Sequence, residues 1–293
     1  MTPIEHYPEL AGILGLSDLY FKREDLHPYG SHKGRSISVM IDHYYSSGDR
    51  HFVISSSGNA ALAASLHVAK LNNENNQAIT LDVLVGKNIA PHKLEKLKSI
   101  ESNFGKGYIK VLIKERPLMA LSEAISEGKR SLRQSTDDIA LVGYKSLGKE
   151  LSEIKNAGAI FVGTSSGTTA QALSQYMVDN KLPIQIHIVQ TSSCHPISDS
   201  FENYDGPEEK SIADAIVSKT SERSPKLFSL INETNGYGWI ATNEEIVSAK
   251  ELVKKHTGLD ISNNSALSIV GAMQAVYRDW TIEGSVICLI CGE

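Results

Sequence analysis

Short apolar runs that recur between helix-length amphipathic stretches constrain this chain more than any other feature. His51–Ser55 (HFVIS), Thr80–Val85 (TLDVLV), Ile109–Ile113, Ala159–Val162, Ile184–Gln190 and Ser285–Ile290 are strand-sized and rich in Val and Ile. Between them the sequence predicts helices at Ala60–Lys70, from Pro91, and at Leu118–Leu132, Lys145–Lys155, Thr168–Val178, Glu244–Lys255 and Ser265–Asp279. Apolar strands spaced by helices mean βαβ units and a mostly parallel sheet. The fold class is α/β. The strands around 51–55, 80–85 and 109–112 are expected to form a smaller parallel sheet, and the remaining strands a larger one. No repeat or long linker interrupts the pattern. Asn72–Gln77 reads as a solvated loop, and Asn203–Lys210 and Lys219–Pro225 as the most flexible stretches.

Composition works by exclusion. A chain of 293 residues, 41% apolar and 22% charged, can bury a real core and is not disordered in bulk. With 29 Lys+Arg against 34 Asp+Glu, its net charge of −5 gives no general reason to bind nucleic acid or an anionic membrane. Three cysteines cannot build a disulfide framework, and no apolar run approaches a bilayer span. The first residues lack the basic-then-apolar pattern of a signal peptide. The expectation is a soluble cytoplasmic protein.

Four segments could carry chemistry. In Phe21–Arg35 a strand ends in a charged run, a Pro-Tyr-Gly turn follows, and Lys33 sits where a helix begins. A helix N-terminus disfavours the ammonium form and favours the neutral amine that attacks carbonyls; a solvated surface lysine is the plain alternative. Ser55-Ser56-Ser57-Gly58-Asn59 links a strand to a helix, either as an anion-binding nest or as an ordinary Asn cap. Gly163-Thr164-Ser165-Ser166-Gly167-Thr168-Thr169 lies between another strand and helix, with glycines for close approach and hydroxyls for a phosphate monoester. The same residues match Gly-x-Ser-x-Gly, the nucleophile elbow of hydrolases, with Ser165 as nucleophile and His187, His195 or His256 as the downstream histidine. Finally, Cys288 and Cys291 are three residues apart on the last strand. Their side chains project to opposite faces, which argues against a shared metal and leaves Cys291 at the strand's carboxyl end, where open α/β sheets place ligands.

Taken in order, these segments resemble the fold-type II pyridoxal-phosphate enzymes: threonine synthase, serine/threonine dehydratase, cysteine synthase and the tryptophan synthase β chain. Lys22-Arg-Glu-Asp-Leu26 with Gly30-Ser-His32-Lys33 is similar to the family's Schiff-base lysine region, and Ser56-Ser57-Gly58-Asn59 to the loop of threonine synthases and dehydratases. Gly163–Thr168 falls at the cofactor's phosphate loop, and Cys291-Gly292 where many members carry Ser-Gly beside the pyridine nitrogen. Gly143-Tyr-Lys-Ser146, Val189-Gln190 with His195-Pro196, Ser211-Ile-Ala-Asp214 and Ser265-Ala266 with Gly271 also resemble threonine synthase stretches, so the likeness spans roughly residues 17–292. Departures are Ser262 in place of a glutamate, Asn263 in place of a proline, Ala215 in place of a glycine, and a phosphate loop with only Gly163 and Gly167.

The resemblance implies a two-domain architecture of parallel-rich sheets flanked by helices, with pyridoxal 5'-phosphate between the domains. Residues 1–34 and 130–293 would form the larger cofactor-binding domain, and 35–129 a smaller mobile one. Lys33 would be the catalytic residue. Asn59, Gly163, Thr164, Ser165, Ser166, Gly167, Thr168 and Cys291 would join it in binding the cofactor, and Ser56, Ser57, Gly58 and His32 would face the substrate. The implied activity is a lyase or replacement reaction of amino-acid metabolism: threonine synthase acting on O-phosphohomoserine, with L-serine/L-threonine ammonia-lyase as its neighbour. The partner would be a small-molecule amino acid, with no nucleic acid, membrane or metal, and a homodimer is possible. The Ser165 hydrolase and a catalytically degenerate, cofactor-binding regulatory protein stand as alternatives.

Overall fold

The computed structural model describes residues 1–75, 78–105, 107–207 and 209–292. In chain order it runs β1 (Ile4–His6), α1 (Pro8–Leu14), β2 (Leu19–Arg23), α2 (Lys33–Ser46), β3 (His51–Ser55), α3 (Asn59–Asn75), β4 (Thr80–Gly86), α4 (Pro91–Phe104), β5 (Ile109–Lys114), α5 (Pro117–Ser126) and β6 (Arg130–Ser131). It continues with α6 (Ile139–Val142), α7 (Lys145–Ser152), β7 (Ala157–Gly163), α8 (Thr168–Asp179), β8 (Gln185–Thr191), α9 (Ser224–Glu233), β9 (Gly238–Ala241), α10 (Asn243–Thr257), α11 (Asn263–Tyr277) and β10 (Ser285–Ile290). Local chemistry sets many of these ends. Pro91 and Pro117 open α4 and α5, where their missing N–H costs nothing. Thr242 and Glu245 close a capping box at the start of α10. Among the described residues no helix is long and apolar enough to cross a membrane.

The chain forms two compact units, Met1–His27 with Tyr144–Glu293, and Pro28–Gly143. The first contains a six-stranded sheet in the order β1-β2-β10-β7-β8-β9, parallel except for β1 against β2. Its core includes Phe161, Val189, Trp239, Leu267, Val270 and Ile290. His187 lies inside this unit, stacked on Phe161 at 4.4 Å, accepting the Trp239 indole N–H at 3.1 Å on Nδ1, with Nε2 2.9 Å from Gln185 Oε1. Burial pulls its pKa down to about 3. The second unit contains an all-parallel sheet in the order β5-β4-β3-β6 over its own core, which includes Ile37, Met40, Phe52, Ile54, Val83 and Val111. The expected α/β class and the division of strands between two sheets therefore hold.

Some local expectations fail. The helix expected over Leu118–Leu132 stops at Ser126, because Gly128 turns the chain with φ +91° and Arg130–Ser131 pairs with β3 as β6. The expected loop at Asn72–Gln77 begins as helix: α3 continues to Asn75, and the buried Asn72 amide donates to Ile79 O (2.9 Å) and accepts from Ile79 N–H (3.0 Å). Asn76 and Gln77 lie outside the described residues, as does Glu208 within the stretch Asn203–Lys210. In Lys219–Pro225, Arg223 is buried and α9 has already begun at Ser224.

Candidate active site

In the smaller unit, α2 joins β3 through the short turn at residues 47–50; Tyr44, near its end, lies under Arg130 at the start of β6 (4.5 Å to the ring centroid), while a Cβ on Gly30, just before its start, would lie 3.2 Å from Leu62 in the first turn of α3. The first turn of α2 therefore lies at the carboxyl edge of the four-stranded sheet, where α3 also begins. Lys33 is the first residue of α2; its N–H donates to Ser31 Oγ at 3.3 Å, and the buried His32 is the N-cap. Ser56, Ser57 and Gly58 turn the chain from β3 into α3, with Gly58 N–H donating to Ser56 Oγ at 3.3 Å, and Asn59 opens the helix. The same edge carries Lys87 after β4, Arg116 after β5 and Arg133 after β6. All three are exposed, and Lys87 is ion-paired with Glu115. Residues 28–143 hold 15 Lys+Arg against 11 Asp+Glu, a net +4, whereas the rest of the chain holds 14 against 23, a net −9.

In the larger unit, β7 ends at Gly163 and α8 begins at Thr168. A Cβ at Gly163 would lie 2.8 Å from the Asn264 carbonyl oxygen and 3.2 Å from Leu267 Cβ, so only glycine lets α11 approach the strand end this closely. Gly167 is the N-cap of α8 with φ +87°, a left-handed conformation that glycine adopts freely. Thr164 N–H donates to Val189 O at 2.9 Å. Beyond it, the N–H groups of Ser165, Ser166, Gly167, Thr169 and Ala170 find no acceptor among the described residues, and no side chain caps α8. Unpaired amides at a helix start carry partial positive charge and are costly to bury. With the Ser166 and Thr168 hydroxyls 3.2 Å apart beside them, they form a cradle that fits a phosphate monoester.

Cys291 follows β10, which pairs in parallel with β7 so that Cys288 stands opposite Phe161. Cys291 therefore ends at the same sheet edge as the cradle. It is a buried thiol, and the next residue is fastened to α11: Ser262 Oγ donates to Gly292 O at 2.6 Å, and Gly292 N–H donates to Ser265 Oγ at 3.3 Å. Ser262 also caps α11 by accepting Ser265 N–H at 3.1 Å. Asn264 Oδ1 accepts Ala215 N–H at 3.0 Å, and its Nδ2 donates to Asp214 at 3.2 Å. Ser262 and Ala215 are thus tied into the framework around α11 and Gly292. Cys288 instead lies in the core, its thiol pushed up by burial and donating to Ser268 O at 3.4 Å.

The hydrolase alternative loses its support. Ser165 Oγ accepts N–H groups from Val217 and Ser218, both at 3.3 Å, and lies 3.1 Å from Ser218 Oγ; no described imidazole bonds it. His187 is locked in the core, His195 Nδ1 is taken by Thr191 O at 3.0 Å, and His256 lies in the last turn of α10. Among the described residues no group of three or more His, Cys, Asp or Glu could hold a metal. The sequence reading missed the partners that shape the cradle. Ser221 Oγ donates to Ser166 O at 2.8 Å, Arg223 Nη1 donates to Gln171 at 3.1 Å, and Gln190 reaches the loop from β8. These contacts span 25 to 55 residues or so, and no local pattern announces them.

Fold and site together define an α/β protein with parallel sheets and an anion cradle at the strand ends of the larger one. The family model of the pyridoxal-phosphate dependent enzymes matches residues 1–292, and the chain belongs to that family. It is a pyridoxal-phosphate enzyme with the fold-type II architecture, and its cofactor is pyridoxal 5'-phosphate. It is 26% identical over 321 residues to the threonine synthase of Methanosarcina acetivorans, covering 100% of this chain and 74% of that protein. To the threonine synthase of Mycobacterium leprae it is 28% identical over 311 residues, covering 100% and 81%. The human L-serine dehydratase/L-threonine deaminase is 23% identical over 305 residues, with 99% and 90% covered. Among solved structures, a pyridoxal 5'-phosphate-dependent aspartate racemase superposes with a TM-score of 0.82 at 21% identity, covering 99% of this chain and 89% of that one. Maize serine racemase gives 0.82 at 17% identity, covering 99% and 87%. These two likenesses speak for the fold alone.

Proposed function

We propose that the chain is a threonine synthase-like enzyme, converting O-phosphohomoserine and water into threonine and inorganic phosphate. Lys33 Nζ would hold the cofactor covalently, and as a free amine it would take the substrate's Cα proton and return a proton later in the cycle. Asn59 would hold the cofactor ring, the amides and hydroxyls of Gly163–Thr168 its phosphate, and Cys291 would stand at the pyridine nitrogen as a thiol in place of a carboxylate. Ser56, Ser57 and Gly58 hold the substrate carboxylate, with His32 beside them. When bound, pyridoxal phosphate supplies the electron sink that acidifies the Cα–H bond. A thiol in place of a carboxylate at the ring nitrogen favours elimination and replacement over transamination.

The observation that carries the substrate choice is the cationic edge of the smaller sheet. Arg116 and Arg133, exposed beside a Lys87 already paired with Glu115, share that edge with Lys33 and Ser56–Asn59, within a unit of net charge +4. A substrate bearing a phosphate ester is drawn to such an edge, whereas zwitterionic serine or threonine gains little from it. The likeness to threonine synthases, which covers the whole of this chain, supports the same choice. Cys194, Cys288 and Cys291 form no disulfide, which suits a reducing cytoplasm.

The test gives the purified enzyme O-phospho-L-homoserine, L-serine and L-threonine separately, and follows phosphate release, threonine formation and 2-oxo acid formation. Phosphate and threonine should appear together from the first substrate, with a kcat/KM at least about a hundredfold above either 2-oxo acid reaction, the gap expected for one or two lost charge-assisted contacts. Fast 2-oxo acid formation without phosphate release would move the assignment to the ammonia-lyase.

A further inference from the structure

Gln190 lies on β8 with no exposed surface, and its side-chain amide uses every hydrogen-bonding position it has. Oε1 accepts the N–H groups of Ile197 at 2.8 Å and Ser198 at 2.9 Å. Nε2 donates to the carbonyls of Thr164 and Ser165, both at 3.3 Å. In a trans peptide the C=O and the following N–H point in opposite directions. Tying the Thr164 and Ser165 carbonyls to one amide therefore turns the N–H groups of Ser165 and Ser166 away from it, to the side where they stand without a described acceptor. The same amide fixes Ile197, whose Cδ1 lies 3.2 Å from where a Cβ on Gly167 would be, and so steadies the start of α8 from below.

We propose that Gln190 is the positioning residue of the phosphate cradle. It sets the peptide orientation that makes the loop an anion site, and it does so without touching the ligand. The proposal rests on the reading of Gly163–Thr168 as the site of the cofactor phosphate. A glutamate at this position keeps both acceptor contacts but has no N–H to give, and as a carboxylate it confronts two carbonyl oxygens. A methionine of similar length removes all four bonds without adding charge.

The experiment uses the full chain stripped of cofactor, as wild type, Gln190→Glu and Gln190→Met. Each protein is titrated with inorganic phosphate, pyridoxal 5'-phosphate and pyridoxal, which lacks the phosphate, and its melting temperature is recorded without ligand. Wild type should bind pyridoxal 5'-phosphate at least about tenfold more tightly than pyridoxal, and inorganic phosphate should raise its melting temperature. Either substitution should erase most of that ratio, a loss of about tenfold or more for two mispositioned amide contacts, while pyridoxal affinity moves by less than about twofold. A variant that melts lower yet keeps the wild-type ratio reduces Gln190 to a packing role and overturns the proposal; should Gln190→Glu not fold, Gln190→Met decides it. A wild-type chain that ignores phosphate and binds both compounds alike would overturn the cradle reading itself, and the proposal with it.

Discussion

Replacing Gly167 by alanine adds one methyl group at the point where strand end, cradle and helix start meet. At φ +87° an L-residue costs about 1–2 kcal/mol that glycine does not incur. The new Cβ would also lie 2.8 Å from Leu227 Cδ2 and 3.2 Å from Ile197 Cδ1, and both side chains are fully buried. Leu227 meets it with the flexible end of its side chain, so repacking falls at the low end of the roughly 1–3 kcal/mol range for an overfilled core. The two effects together come to about 2–4 kcal/mol. At roughly 2–4 °C per kcal/mol for a chain of more than about 150 residues, melting should fall by about 5–15 °C. Circular dichroism melting of the full chain without added cofactor measures this directly, with Gly12→Ala as the control. A Cβ at Gly12 meets nothing within 4 Å inside α1, so that change should be neutral or stabilising by up to about 1 kcal/mol. A Gly167→Ala protein melting within a degree of wild type would show that neither the backbone conformation nor the Leu227 contact matters as argued.

Lys33→Ala should fold normally, fail to trap cofactor on borohydride reduction, and lose about a thousandfold or more in turnover; peptide mapping of the reduced wild type should find the label on Lys33. Cys291→Ser should keep most activity. Cys291→Asp should still bind cofactor yet lose elimination and gain transamination, because a carboxylate stabilises a protonated ring nitrogen; the same rate and products as wild type would move Cys291 away from that nitrogen. The His187 imidazole, neutral when folded with a pKa near 3, takes up its proton on unfolding, so its contribution to stability is full above about pH 6.5 and is lost progressively as pH falls towards 3. Urea unfolding between about pH 4 and 6 should carry this as roughly 1.4 kcal/mol per pH unit in wild type, and His187→Gln should flatten the profile by that amount.

The strands of both sheets were legible where apolar and β-branched residues run together, as in Phe52-Val-Ile54 and Val286-Ile-Cys-Leu-Ile290, because burial on both faces leaves no polar alternation to blur them. The two-residue β6 was not, since Arg130-Ser131 has neither length nor apolar character and exists as a strand only through its ladder to β3. Asn72 read as loop because asparagine favours turns. In the structure its amide substitutes for ladder bonds at Ile79, a partner seven residues away. Among site residues, the hydroxyl-rich loop and its glycines could be read locally, because strand, turn and helix follow one another in sequence. The ties that orient it could not: Val189-Gln190 stands out only as a resemblance to threonine synthases, with no contact to the loop implied, and Ser221 reads as part of a polar linker. Gln190 acquires its role only when β7 and β8 lie side by side, and Ser221 only when the segment before α9 meets the loop.

The order of strands in the larger sheet bears on how the chain can be made. β10, the last strand in sequence, lies between β2 and β7 and pairs in parallel with both. While the polypeptide is still being synthesised, β1 and β2 must wait with one side open, and β7, β8 and β9 form a second fragment that nothing yet joins to them. Residues 28–143, by contrast, are contiguous, so all four strands of their sheet exist well before the larger one can close. Closure of the larger sheet is thus a long-range event that joins β2 to a strand far downstream of it, a topology that slows folding and prolongs the exposure of unpaired strand edges to neighbouring nascent chains.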